Sequence, residues 1–227
     1  MAVIIYLYLW WVVTLLYKII TICCGNVNCY LVDCGDFAIL IDTAKEKYRE
    51  FLLEKLKSYT IPLIILTHGH YDHTGNAAFL AKHFNSKIAM HKEDYNLSKN
   101  NLTNTIYSNS FLGPLFKKAS LWDFKNTNVD DFEPDIFLED GQTLANFNVD
   151  AKILHLPGHT KGSLGLLINN NELIAGDIFM NFLYPCESIV AEDIDMLRKS
   201  ISKIDSLNLN VLYPGHGGAI TSVKVNF

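Results

Sequence analysis

Four side chains able to ligate a metal stand within six residues, in His68-Gly69-His70-Tyr71-Asp72-His73. The run follows the apolar stretch Ile61-Pro62-Leu63-Ile64-Ile65-Leu66, so it sits on the turn that leaves a buried strand. Nitrogen and carboxylate donors at this density are what a first-row metal ion needs. Desolvated without an ion, they would be costly to keep. In an extended segment residues i and i+2 project to the same side. His68 and His70 are therefore expected to grip one ion together, with Gly69 adding no bulk between them. Asp72 and His73 lie past the strand end and can face a second ion. Thr74 and Gly75 then lead into an expected helix ending at Phe84.

Three further ligand candidates lie downstream. His159 stands in Leu156-Pro157-Gly158-His159-Thr160-Lys161-Gly162-Ser163, Asp177 in Ile174-Ala175-Gly176-Asp177, and His216 in Val211-Leu212-Tyr213-Pro214-Gly215-His216-Gly217. Each follows apolar residues and has glycine beside it, the pattern of a ligand presented on a strand-to-loop corner. Taken singly, a histidine near a strand end is more often a hydrogen-bonded structural residue, and Asp177 alone would cap a turn. The combined set argues for ligands. His83 and His91 fall outside this pattern and are read as structural.

These residues resemble the motifs of the metallo-β-lactamase-fold hydrolase superfamily, in its glyoxalase II-like branch. The H-x-H-x-D-H motif matches His68 to His73, and the later single histidine, bridging aspartate and final histidine match His159, Asp177 and His216. The likeness runs from about Lys18 to near the C-terminus. It implies a layered α/β fold, a four-layer αββα sandwich of two mixed sheets with helices outside and the metals at one sheet edge. It also implies two divalent metal ions, zinc first, with iron or manganese fitting the same N/O donors. His68, His70 and His159 would hold one ion and Asp72, His73 and His216 the other, with Asp177 between them. The expected chemistry is hydrolysis of a small acyl compound (thioester, ester or lactone) by a metal-bridging hydroxide, with Asp72 as the catalytic residue that orients the nucleophile or takes its proton. Alternatives within the fold are a single-iron persulfide dioxygenase, an N-acyl-homoserine lactonase and a β-lactamase. Glyoxalase II adds a basic C-terminal segment for glutathione. This chain ends at Phe227, soon after His216, so a different thioester, an ester or a lactone is expected as readily.

Composition narrows the choice. A formal charge of −5 over 227 residues offers no basic field for nucleic acid, which counts against the RNA-processing nucleases that share the motif. Apolar residues at 49% and charged residues at 19% describe one folded domain with a sizeable core. The five cysteines (Cys23, Cys24, Cys29, Cys34 and Cys186) form no C-x-x-C pair, and are read as free thiols in a reducing compartment.

Residues 1–17 are apolar apart from Thr14 and precede the expected domain, 18–227. They are read as an extension: a membrane anchor that would leave the catalytic domain cytoplasmic, a packed extra strand or helix, or an upstream translation artefact. Strands are expected at 18–24, 28–34, 37–42, 61–67, 87–91, 149–155, 163–168, 172–176 and 210–214, and helices at 44–58, 75–84 and 191–206. Residues 93–133 form an insertion whose aromatics, from Phe111 to Trp122, either cap the sandwich or wall the cleft. Asn181 and Tyr184, just past Asp177, are candidate substrate contacts.

Overall fold

The computed structural model describes residues 17–100, 107–108, 118, 130–147 and 149–221. In chain order the elements are β1 (Lys18–Cys24), β2 (Val27–Asp33), β3 (Ala38–Ile41), α1 (Arg49–Leu56), β4 (Leu63–Ile65), α2 (Tyr71–Thr74), α3 (Ala77–Phe84), β5 (Lys87–Met90) and α4 (Tyr95–Lys99). They continue with β6 (Tyr107–Ser108), β7 (Ile136–Phe137), β8 (Ala151–His155), β9 (Leu164–Ile168), β10 (Glu172–Asn181), β11 (Pro185–Glu187), β12 (Val190–Ala191), α5 (Ile194–Asp205), β13 (Val211–Gly217) and β14 (Ile220–Thr221).

Two six-stranded mixed sheets result. The first runs β1-β2-β3-β4-β5-β7, and the second runs β14-β13-β10-β9-β8 with β11 paired to β10. Side chains alternate across the pleat, and here both faces are apolar. Leu31, Leu40 and Ile64 point outward onto Leu52, Leu56, Ala77 and Leu80 of α1 and α3. Their neighbours Tyr30, Val32, Ile39, Ile41, Leu63 and Ile65 point inward and meet Ile153, Leu164, Leu166 and Ile174 of the second sheet. Leu154, Leu167 and Leu173 on that sheet's far side pack on Leu197, Ile201 and Ile204 of α5. The spacing of these three along α5 is the helical one, and Asp193 caps its start by accepting the Met196 N–H at 2.8 Å. This is the expected αββα sandwich.

The Asn169–Asn170 turn between β9 and β10 has φ of 49° and 60°, the paired left-handed conformation of a tight hairpin. Two strands run past their expected ends. β10 continues to Asn181 and β13 to Gly217, which carries them through the candidate ligands Asp177 and His216. The β10–β13 ladder shifts register on either side of Gly176, a bulge that re-aims the side chain of Asp177.

Among the described residues no helix is long and apolar enough to cross a membrane. Residues 1–16, and with them the anchor reading, lie outside the described residues, as does most of the insertion, including all of 111–122 but residue 118. Tyr17 already contacts the sandwich, its phenol oxygen accepting the Asp150 N–H at 2.6 Å.

Candidate metal centre

The seven sequence candidates come from five places in the chain and meet at one edge of the sandwich. His68 and His70 leave the end of β4. Asp72 and His73 lie on α2, one helical turn that puts them close together. His159 sits in the β8–β9 connection, Asp177 on the β10 bulge, and His216 near the end of β13. Ligand atoms of His68, His70 and His159 lie within 4.8 Å of one another, as do those of Asp72, His73 and His216, and those of His68, His73 and Asp177.

Asp177 is the centre of the set. Its Oδ2 is 3.0 Å from His216 Nε2, 3.6 Å from His159 Nε2 and 4.0 Å from His68 Nε2, and its Oδ1 is 3.3 Å from His73 Nε2. On the other side, His70 Nδ1 faces His159 Nε2 at 3.0 Å. Two ring nitrogens that close cannot both carry a proton. The Nε2 atoms of His68 and His73 and Oδ1 of Asp177 are buried without a hydrogen-bond partner. Buried polar atoms of this kind are expected to be satisfied, and a cation shared by nitrogen and carboxylate donors satisfies them. The donor set therefore fits metal ions.

In four of the five rings the opposite nitrogen is held by the protein, which fixes ring orientation. His73 Nδ1 is 2.8 Å from Asp42 Oδ2, and His68 Nδ1 is 3.0 Å from Thr67 Oγ1. His159 Nδ1 contacts the Val190 carbonyl at 2.9 Å and Ser188 Oγ at 3.0 Å. His216 Nδ1 is 2.6 Å from the Asn26 carbonyl in the β1–β2 turn. The same turn region is pinned to β13 by Asn28, whose amide donates to the carbonyls of Pro214 and Gly217 at 3.0 and 2.7 Å.

Electrostatics divides the cluster. In the metal-free centre, burial lowers the imidazole pKa values of His68 and His159 and brings that of His70 down to about 3. Burial acts the same way on His73, but the carboxylates of Asp177 and Asp42 outweigh it and hold that ring well above the ordinary histidine value. For His216 burial is likewise outweighed, by Asp177 and then Asp72, and its pKa rises. Burial pushes the Asp177 carboxyl up, while His216 and His73 hold it well below the usual carboxylate range.

Two aspartates missed in the sequence support the centre. Asp42 has φ of 60°, a strained conformation for a non-glycine residue and common at functional sites. It accepts the Thr67 N–H and hydroxyl at 2.7 and 2.8 Å as well as facing His73. Its signal was the apolar strand before it, the same strand-end context as the other ligands. Asp94, fully buried, accepts from Gly69, Thr160 and Gly162. It was hidden in the charged run Lys92-Glu93-Asp94.

The remaining candidates are placed as follows. His91 stacks on His155 with centroids 4.1 Å apart, and His83 packs beside Phe79 and Phe84. Asn181 spends its amide on the Gly218 carbonyl at 2.9 Å. Tyr184 is exposed on the β10–β11 turn, beside Phe182, whose ring centroid is 5.8 Å from that of His216. All five cysteines are free.

The model of the metallo-beta-lactamase superfamily matches residues 24–216. The chain belongs to that superfamily. Among its relatives, a probable metallo-hydrolase of Methanocaldococcus jannaschii is 28% identical over 84% of this chain and 87% of its own length. The hydroxyacylglutathione hydrolase GloC of Haemophilus influenzae is 29% identical over 90% of this chain and 92% of its own. The crystal structure of TTHA1623 in a di-iron-bound form shares the fold with a TM-score of 0.63, at 24% identity over 90% of this chain and 94% of that one. The protein is thus a hydrolase of the metallo-β-lactamase superfamily, and its His/Asp cluster is compatible with a metal site.

Proposed function

We propose that this hydrolase cleaves a small acyl compound, a thioester first and an ester or lactone next, with two divalent metal ions, zinc by preference. The observation that carries the reading is Asp177, whose two carboxylate oxygens reach toward histidines of both ligand groups. His68, His70 and His159 would hold one ion, and Asp72, His73 and His216 the other, with Asp177 shared. Bound there, the ions supply an acidified water as nucleophile and a Lewis acid for the acyl carbonyl.

The chain's own residues supply position and exclusion of water. The buried histidines hold the centre rigid through their backing hydrogen bonds. Asp72 has the most exposed side chain of the carboxylates in the cluster, at 18% against 4% for Asp177. This exposure supports Asp72 as the proton acceptor that an arriving substrate would meet. Phe182, beside His216, and Tyr184 on the same turn give the acyl group an apolar wall with a hydroxyl nearby. The kinship with GloC, named for a glutathione thioester, supports thioesters as the first class to try. The net charge of −5 disfavours RNA as a substrate.

Metal analysis of protein purified without chelator, followed by turnover assays on thioesters, lactones, β-lactams and RNA, tests the reading. Two ions per chain and metal-dependent thioester cleavage are expected. One tightly held iron with consumption of dioxygen would replace this reading with the dioxygenase alternative.

A further inference from the structure

Asp94 touches none of the atoms that face the proposed metals, yet it holds two of the segments that present them. It lies just before α4, fully buried. Its Oδ2 accepts the Gly69 N–H at 2.9 Å and the Thr160 hydroxyl at 2.6 Å, and its Oδ1 accepts the Gly162 N–H at 2.6 Å. Gly69 lies between His68 and His70. Thr160 and Gly162 follow His159. A β-carbon on Gly69 would stand 2.7 Å from the Asp94 carbonyl oxygen, and one on Gly162 would stand 2.7 Å from the Asp94 carboxyl carbon. Both loops therefore lie flush against this residue, and glycine is required at each for the approach.

We infer that Asp94 is a positioning residue for one half of the metal centre: it sets the spacing between the His68–His70 turn and the His159 loop. The inference rests on the reading of those three histidines as ligands of one ion. The physical argument is the donor count. A carboxylate is all acceptor, and three donors converge on its two oxygens. An amide in its place must turn an N–H₂ group toward at least one of those donors. One loop is then pushed off, and the spacing of His70 and His159, now 3.0 Å between ring nitrogens, is lost. The other half of the centre does not depend on Asp94. Of its ligands, His73 is backed by Asp42 and His216 by Asn26.

The test separates the two halves with cobalt(II) as the probe. In a His216→Ala background, binding reports the His68/His70/His159 half. In a His70→Ala background, it reports the Asp72/His73/His216 half. Adding Asp94→Asn should weaken cobalt binding by about 10–100-fold in the first background, the usual effect of removing a group that orients ligands, and leave it within about twofold in the second. Thr160→Val, which removes one donor and keeps side-chain shape, should weaken the first half less and spare the second. It keeps the test open where Asp94→Asn does not fold. In the metal-free protein, Asp94→Asn should also speed hydrogen exchange at Gly69 or Gly162. Equal weakening of both halves would mean a merely structural role and overturn the proposal, as would unchanged binding in the first background. Failure of the wild-type protein to bind cobalt would overturn the metal reading itself, and the proposal with it.

Discussion

Oδ2 of Asp42 lies 2.8 Å from Nδ1 of His73, and the two are 31 residues apart in sequence. A carboxylate there accepts from Nδ1–H, so Nε2 is the nitrogen turned toward Asp177. Asp42→Asn keeps the shape, but its N–H₂ group must face His73 or the Thr67 donors. Affinity for the ion on the Asp72/His73/His216 side is expected to fall by about 10–100-fold, with a parallel loss of hydrolysis. Competition with a chromophoric chelator measures it. An unchanged affinity for that ion would show that the contact does not orient His73.

Substitution should distinguish ligands from bystanders. His70→Ala and Asp72→Ala remove donors from different halves of the centre, and each should lower hydrolysis by about two orders of magnitude or more, because both ions act on one reaction. His83→Ala removes a ring that only packs on Phe79 and Phe84 of α3, so turnover should stay within about twofold and stability within about 1 kcal/mol. Full loss of turnover in a folded His83→Ala protein would mean that the ligand set is incomplete.

The split in histidine pKa values predicts the order in which acid strips the metals. His73 and His216 titrate above the ordinary histidine value in the metal-free centre, so protons compete for them as pH falls to neutrality and below. His68, His70 and His159 are shifted down, so protons compete there only at lower pH. On acidification the ion held by Asp72, His73 and His216 should leave first, giving a window with one ion per chain. Metal content after dialysis at a series of pH values checks this, and a His216→Ala protein should lack the first step. Loss of the first step in His70→Ala instead would reverse the assignment.

The clustering of the candidate ligands was legible because each follows an apolar stretch that ends or breaks. Burial then fixes the backbone, and the chemistry of histidine and aspartate supplies the rest. The sandwich was legible for a related reason: runs such as Ala38–Ile41 and Leu63–Ile65 are apolar on both faces, which only a covered sheet allows. What was not legible came from long-range contacts. The extension of β10 through Asp177 depends on pairing with β13, and local sequence, broken by Gly176, reads as a strand end. The turn of helix at Tyr71–Thr74 is too short to leave a periodicity. Asp94 falls within the expected insertion, in the charged run Lys92-Glu93-Asp94, which carries no local sign of burial. Only the fold shows three donors closing on it.

The last prediction concerns the substrate side. Phe182 is 56% exposed and its ring lies 5.8 Å from that of His216, with Tyr184, 69% exposed, on the same turn. Both are exposed, so neither is expected to matter much for folding. An acyl group seated over the centre would cover the Phe182 ring. Covering about half of a phenyl side chain is worth roughly 1 kcal/mol at ~25 cal/mol per Å². Phe182→Ala should therefore raise KM for a thioester with an apolar acyl group by about fivefold. It should leave kcat and metal content nearly unchanged, and it should have little effect on a short acetyl thioester that cannot reach the ring. Tyr184→Phe tests the hydroxyl separately, with an effect expected only for substrates that carry a polar group on the acyl chain. Equal losses for long and short acyl groups, or a fall in metal content, would place the role of Phe182 in shielding His216 and remove it from substrate recognition.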